Sequence, residues 1–245
     1  MNAKKLSFLL LILVAVACTN RSTSSEQDEM RHWNNVLQQI NALLLENKAR
    51  QTLDLAKQTL PEILESAEKN GTTDTLIYYA RKIFNACGNN YINTKQYKDG
   101  IDYMDSIGNH PLIREHCPHE LLSFKAGLNQ LYGNNPEAVR LAEDYLQLPV
   151  CTSANDFIRQ AEIISGVYMY SGNNLPKAIQ ILEKAIDVYR KGGNFPNMLR
   201  IMSRLGIYYH LSGEYEKAIA TNQEAIATYN DSIAQIGRAS CRERV

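Results

Sequence analysis

The residues best suited to chemistry in this 245-residue chain lie close together: His116-Cys117-Pro118-His119, with Cys151 further on. Two imidazoles and two thiolates would suffice as a donor set for zinc. The spacing argues against it, because ligands crowded as His-Cys-x-His converge poorly on a single ion. The remaining histidines, His32, His110 and His210, stand apart. The chain has no HExxH, no paired Cys-x-x-Cys, no glycine-rich phosphate loop and no nucleophile elbow. The expectation is a chain that is not an enzyme and that holds no metal and no cofactor. What remains is the chemistry of a surface.

The elements that would position such a surface are helices. Val36, Leu37, Ile40, Leu43 and Leu44 recur at three and four, which places them on one face of a helix. No segment alternates convincingly with period two, so Met30 to Gln235 reads as all-α. Within this body the sequence repeats. Ala138-Val139, Ala178-Ile179 and Ala218-Ile219 are spaced by forty residues; Ala185-Ile186 and Ala225-Ile226 keep that step, as do Tyr189 and Tyr229. Each copy follows a turn: Gly133-Asn134-Asn135-Pro136, Gly172-Asn173-Asn174-Leu175-Pro176, or Ser212-Gly213-Glu214-Tyr215. Glycine and asparagine supply the left-handed residue that ends one helix, and proline suits the first turn of the next.

Leu205-Gly206-Ile207-Tyr208-Tyr209, then Gly213-Glu214-Tyr215, then Ala218 and Ala225 resemble a tetratricopeptide (TPR) repeat. Further copies run through Cys87-Gly88, Tyr91, Tyr97 and Gly100, through Ala126, Gly133 and Ala138, and through Gly166, Gly172 and Ala178. A degenerate first copy keeps Ala49, Leu53 and Ala56. The resemblance implies an all-α, right-handed superhelix of about five antiparallel helix pairs over 30–235. Gly206 and Ala218 would then let paired helices approach, while Tyr209 and Tyr215 fill the space beside them. The chain departs from the pattern in its forty-residue period, in its missing closing proline, and in Phe84, Leu122 or Met202 where tryptophan is usual. Gly166 and Gly172 cannot both hold their preferred places in one register.

The resemblance also implies a groove lined by the first helix of each pair. Carried over by position, the groove candidates are Asn85, Asn89, Ser123, Gln130, Arg200, Ser203 and His210. Such side chains can clamp the backbone of an extended peptide, so the expected partner is a protein or peptide. Trp33, Tyr168, Tyr170, Tyr208 and Tyr209 are read as packing, and Cys87 as core. Cys117 precedes the first helix of its pair and Cys151 follows the second. The ends of a helix hairpin lie close together, which makes Cys117–Cys151 a candidate disulfide for an exported chain.

Export is the expectation from residues 1–17. Lys4 and Lys5 precede an apolar run from Leu6 to Val16 that is too short to span a bilayer. Ala15-Val16-Ala17-Cys18 resembles the lipobox of bacterial lipoproteins. That resemblance implies lipidation of Cys18, a membrane anchor and a place on the periplasmic side of the cell envelope. Residues 18–29 then form a flexible, serine-rich tether. At the other end Ile236 to Val245 (IGRASCRERV, including Cys241) resembles a translated sequencing adapter, so the natural chain is expected to continue past Gln235. The helix from about Tyr215 to Ile233 should stop there with its apolar face uncapped.

Lys4, Lys5, Arg238, Arg242, Arg244 and Glu243 belong to these two ends. Without them the body has 21 basic and 25 acidic residues, where the whole chain balances at 26 and 26. A mildly acidic body argues against nucleic acid as a ligand of this segment. Exported arrays of tyrosine-rich, forty-residue units are similar to the repeat regions of bacterial sensor kinases and membrane-bound regulators. The expectation is a binding module from the extracytoplasmic part of a longer signalling protein. A self-contained lipoprotein scaffold is the alternative.

Overall fold

The computed structural model describes residues 27–149, 154–192 and 195–242, and within them no side chain is described for 154–156, 158–159, 189, 191–192, 195–197 and 231–242. The apolar leader, Cys18 and Cys151 lie outside these residues. Among the described residues there are eleven helices and no strand. They are α1 (27–45), α2 (Ala49–Asn70), α3 (Asp74–Asn93), α4 (Tyr97–Ile107), α5 (Pro111–His116), α6 (Pro118–Tyr132), α7 (Asn135–Gln147), α8 (Ala154–Tyr170), α9 (Leu175–Gly192), α10 (Phe195–Leu211) and α11 (Tyr215–Arg242). The helix order accommodates the expected five pairs, and α6 packs on α7, α8 on α9 and α10 on α11. A short extra helix, α5, precedes the third pair; Pro111 starts it, the His110 side chain caps it, and Pro118 starts α6 immediately after.

The chain divides into two compact units, residues 1–90 and 91–245. In the first, Trp33, Val36 and Ile40 of α1 join Leu53, Ala56, Leu60, Ile63 and Leu64 of α2 in the buried set. Ala80, Ile83, Phe84 and Cys87 of α3 are buried as well. The tether ends sooner than expected, because residues 27–29 already belong to α1. Glu29 is held there by two donors, the Trp33 indole N–H and the Ser66 hydroxyl of α2.

In the second unit the repeat is regular. Within the last three pairs the left-handed turn residues are Gly133 (φ 95°), Asn173 (φ 44°) and Gly213 (φ 83°), forty apart, while Lys95 (φ 58°) holds the left-handed place in the turn before α4. Asn173, not Gly172, therefore ends α8. That removes the register conflict: Gly166 keeps the place of Gly206 because the turn glycine is one residue early and asparagine tolerates its conformation. Ala138, Ala178 and Ala218 are all buried. Each donates its backbone N–H to a residue four earlier in the turn, Asn134, Asn174 and Glu214 respectively. One core runs through α6 to α11, from Ala126 to Ala218, with Leu182, Ile201, Met202 and Leu205 fully or almost fully enclosed. α11 does not stop near Ile233; its backbone stays helical through Arg242. Ala, Arg and Gln are good helix formers, and Gly237 alone costs only about 1 kcal/mol against alanine.

Candidate functional site

The first helices of the last three pairs, α6, α8 and α10, carry the site. At its centre is Gly166. A Cβ added there would meet nothing closer than Gln130 Oε1 of α6 at 3.8 Å and an Arg204 guanidinium nitrogen of α10 at 4.0 Å. The buried backbone of α8 at Gly166 is thus covered by an amide on one side and a guanidinium on the other. Arg204 is held in place by donating to the backbone carbonyl of Glu162 at 3.0 Å. The Glu162 carboxylate, itself largely buried, pairs with Arg200 at 2.5 Å. The Arg204 charge, together with Ser165, also acts on the nearby Tyr208 hydroxyl. Burial raises the pKa of Tyr208, and of Tyr168 and Tyr209, keeping the three phenols neutral. The arrangement gathers hydrogen-bond donors and acceptors on three neighbouring helices and offers no nucleophile.

The candidates from sequence divide accordingly. Gln130 and Arg200 belong to this cluster. Ser203 is exposed on α10 but turns its hydroxyl back to the Leu199 carbonyl. His210 is exposed on the same helix, its ring against Tyr215 at 5.4 Å. Ser123 is no groove residue: it is wholly buried and donates to the Glu120 carbonyl. In the first unit Asn85 is buried too, and Asn89 donates to the Asn85 carbonyl within α3. In a helix each residue turns the side chain by about 100°, so a slip of one position moves a groove residue into the core. Tyr170 is exposed, not packed, while Trp33, Tyr168, Tyr208 and Tyr209 are buried. Tyr215 is exposed as well, because among the described residues no helix covers that side of α11.

Glu162 and Arg204 were missed, although the sequence held a signal for the first. At forty-residue steps Leu122, Glu162 and Met202 occupy one position, and a carboxylate there among apolar residues needs a partner. Near the other pole, Cys117 is buried, and His119 Nε2 is 2.7 Å from the Pro149 carbonyl. That contact ties the end of the α7 loop to the start of α6. The Cys117–Cys151 pairing itself falls outside the described residues, as does Cys18. Among the described residues no three His, Cys, Asp or Glu side chains are grouped to hold a metal ion, and no helix is long and apolar enough to cross a membrane.

Residues 161–231 match the tetratricopeptide repeat family model, which takes in most of α8, all of α9 and α10, and the first half of α11. No curated protein matches the chain. Among solved structures, a Podosopora anserina protein of nearly identical TPR-like repeats, described as a kinesin light chain, is similar at 12% identity with TM-score 0.51. The alignment covers 81% of this chain and 95% of that one. BtubC (BKLC) from P. vanneervenii is similar at 12% identity and TM-score 0.56, covering 75% and 74%. At such identity the likeness is one of fold. The chain has the all-α, paired-helix fold of TPR-like proteins, and its segment 161–231 matches the tetratricopeptide repeat model.

Proposed function

We propose that this protein is a binding module that takes an extended segment of a protein partner across α6, α8 and α10. The observation that carries the reading is the polar cluster on α6, α8 and α10, where Gln130, Arg204 and the Arg200–Glu162 ion pair gather around Gly166. An extended peptide lying across these three helices would present its backbone to those side chains. Amide and guanidinium groups can then satisfy its carbonyls and any carboxylate it bears. The module performs no catalysis of its own in this reading. Lipidation at Cys18 anchors it on the periplasmic side of a bacterial envelope, as the extracytoplasmic receptor part of a signalling protein. The apolar run from Leu6 to Val16 ending in Ala17-Cys18 is what supports that placement.

The test is selection from a displayed library of random linear peptides, followed by affinity measurement on the selected sequences. Gly166→Leu would displace the Gln130 and Arg204 side chains that cover it and should weaken the selected peptides by about tenfold or more, with helicity unchanged by circular dichroism. Peptides that bind the Gly166→Leu form equally well would overturn the assignment of this face.

A further inference from the structure

The connection between α2 and α3 holds two residues with a chemistry of their own. Asn70 is the last residue of α2 and Gly71 follows it; Asn-Gly occurs nowhere else in the sequence. Asn70 through Asp74 are all exposed. Gly71 has φ 87°, and a Cβ built on it would meet nothing within 4 Å. Its backbone N–H is also placed unlike those of the other glycines that follow a helix. Gly108, Gly133 and Gly213 each donate to a carbonyl in the last turn of the helix before them. Among the described residues the Gly71 N–H has no such acceptor. The Asn70 amide donates to the Ser66 hydroxyl at 3.2 Å, on the open surface. Beyond this point Thr73 caps α3, its side chain accepting from the Leu76 N–H and its carbonyl from the Ile77 N–H. The loose part of the connection is therefore Gly71-Thr72.

We propose that Asn70-Gly71 is a site of spontaneous covalent modification, at which the chain turns a neutral amide into a carboxylate without an enzyme. The Gly71 nitrogen gives its proton to solvent and attacks Cγ of the Asn70 side chain. A bond from that nitrogen to Cγ forms, the bond from Cγ to the amide nitrogen breaks, and ammonia leaves with a proton taken from water. The product is a five-membered succinimide. Water then opens either of its two carbonyls. One opening leaves an aspartyl residue at position 70, the other an isoaspartyl residue whose main chain runs through the former side chain. Glycine permits the first step because no side chain shields its nitrogen and its φ is free. The fold permits it too, since that nitrogen is not tied to α2 and the terminal residue of a helix frays at little cost. The consequence is electrostatic. A negative charge arises at the C-terminus of α2, where the helix carbonyls already concentrate negative potential. Lys69, the basic residue of that turn, is engaged with Glu65. The modified form of the first unit is therefore the less stable one.

The experiment is peptide mass spectrometry on the full chain, incubated in neutral and mildly alkaline buffer with a mild detergent that keeps residues 6–16 dispersed. Methylation by an isoaspartate methyltransferase counts the isoaspartyl product, and a synthetic peptide of residues 66–76 is the unfolded reference. Asn70 should convert faster than every other asparagine of the chain, and faster at the higher pH. Its rate should lie within about tenfold of the peptide's, because opening at a frayed helix end costs little. Asn70→Gln should abolish the methylation of this segment with helicity unchanged. Asn70→Asp, which carries the charge from the start, should lower the unfolding midpoint by about 1–4 °C. A folded rate slower than that range, or another asparagine that converts first, overturns the proposal. An Asn70→Asp chain as stable as its parent overturns the electrostatic consequence.

Discussion

α9 and α11 are the second helices of consecutive pairs, forty residues apart, and they carry nearly the same apolar positions in opposite circumstances. Ile179 and Ile186 are 7% and 4% exposed; their counterparts Ile219 and Ile226 are 58% and 62% exposed. The same contrast holds on the first helices, where Val167 is fully buried and Ile207 is 58% exposed. The difference is one helix. α10 lays Met202, Leu205 and Tyr209 beside Ile186, and among the described residues nothing does this for α11. The comparison teaches that burial in a repeat array belongs to the neighbour and not to the sequence of the unit. The largest effect expected here follows directly. Ile186→Ala should destabilise the fold by about 2–5 kcal/mol, since it opens a cavity in a closed core. Ile226→Ala should change the unfolding free energy of the monomer by no more than about 0.5 kcal/mol. Chemical denaturation of the two variants at low protein concentration checks this, and equal losses would mean that α11 is covered within its own chain.

The glycines of the first helices sharpen the comparison at a smaller scale. An added Cβ at Gly127 would lie 2.7 Å from Ile163 Cγ2, so α8 sits directly on α6 there. At Gly166 an added Cβ would make only ordinary contacts, with Gln130 at 3.8 Å and Arg204 of α10 at 4.0 Å. Gly127→Ala is therefore expected to cost about 1–3 kcal/mol by overpacking against a stiff, β-branched side chain. Gly166→Ala should instead stabilise by up to about 1 kcal/mol, because only the conformational entropy of glycine in a helix is relieved. Thermal unfolding of the pair should show opposite signs. A loss at Gly166 would mean that α10 packs against α8 as closely as α8 packs against α6.

The repeat itself was legible because it rests on small residues and turns, which physics confines to few places. Ala138, Ala178 and Ala218 had to be buried, and in the last three pairs the left-handed residue is glycine or asparagine, although Lys95 takes that place before α4. The choice between Gly172 and Asn173 was not legible, since either tolerates positive φ and only the packing of Gly166 decides. The groove was read less well. Gln130 and Arg200 lie in the cluster on α6, α8 and α10, whereas Ser123 and Asn85 are buried, because polarity alone does not say which side of a helix a short side chain occupies. Ser123 satisfies its hydroxyl within its own turn, a common refuge for serine in a helix core. Arg204 was invisible for a different reason: its partner is a backbone carbonyl forty-two residues earlier, which leaves no mark in the sequence.

The smallest expected effect concerns a lysine that recurs at the same step. Lys177 at the start of α9 reaches Glu143 of α7 at 2.6 Å and lies over the Tyr168 ring at 4.6 Å. Lys217, forty residues on, lies over Tyr209 at 5.3 Å but pairs with Glu214 beside its own first turn. The residue matching Glu143 is Glu183, and it accepts the Tyr209 hydroxyl instead. One lysine thus bridges two pairs, and the other closes a local turn. The hydrogen bond from Lys177 holds the Glu143 carboxyl below the usual range for glutamate. A carboxylate with a lowered folded pKa contributes stability that is present above the unfolded value, about pH 4.3, and is lost as the pH falls through the folded one. Both partners are partly solvated, so the contribution is a few tenths to about 1 kcal/mol. Lys177→Met should remove it and flatten the acid limb of a stability–pH curve below about pH 4.5. Lys217→Met should cost less at neutral pH, because the ion pair it breaks joins no second element. If the two variants lose equal stability there, the inter-pair bridge adds nothing beyond the local one, and the regular stacking of α7, α9 and α11 owes its order to apolar contact alone.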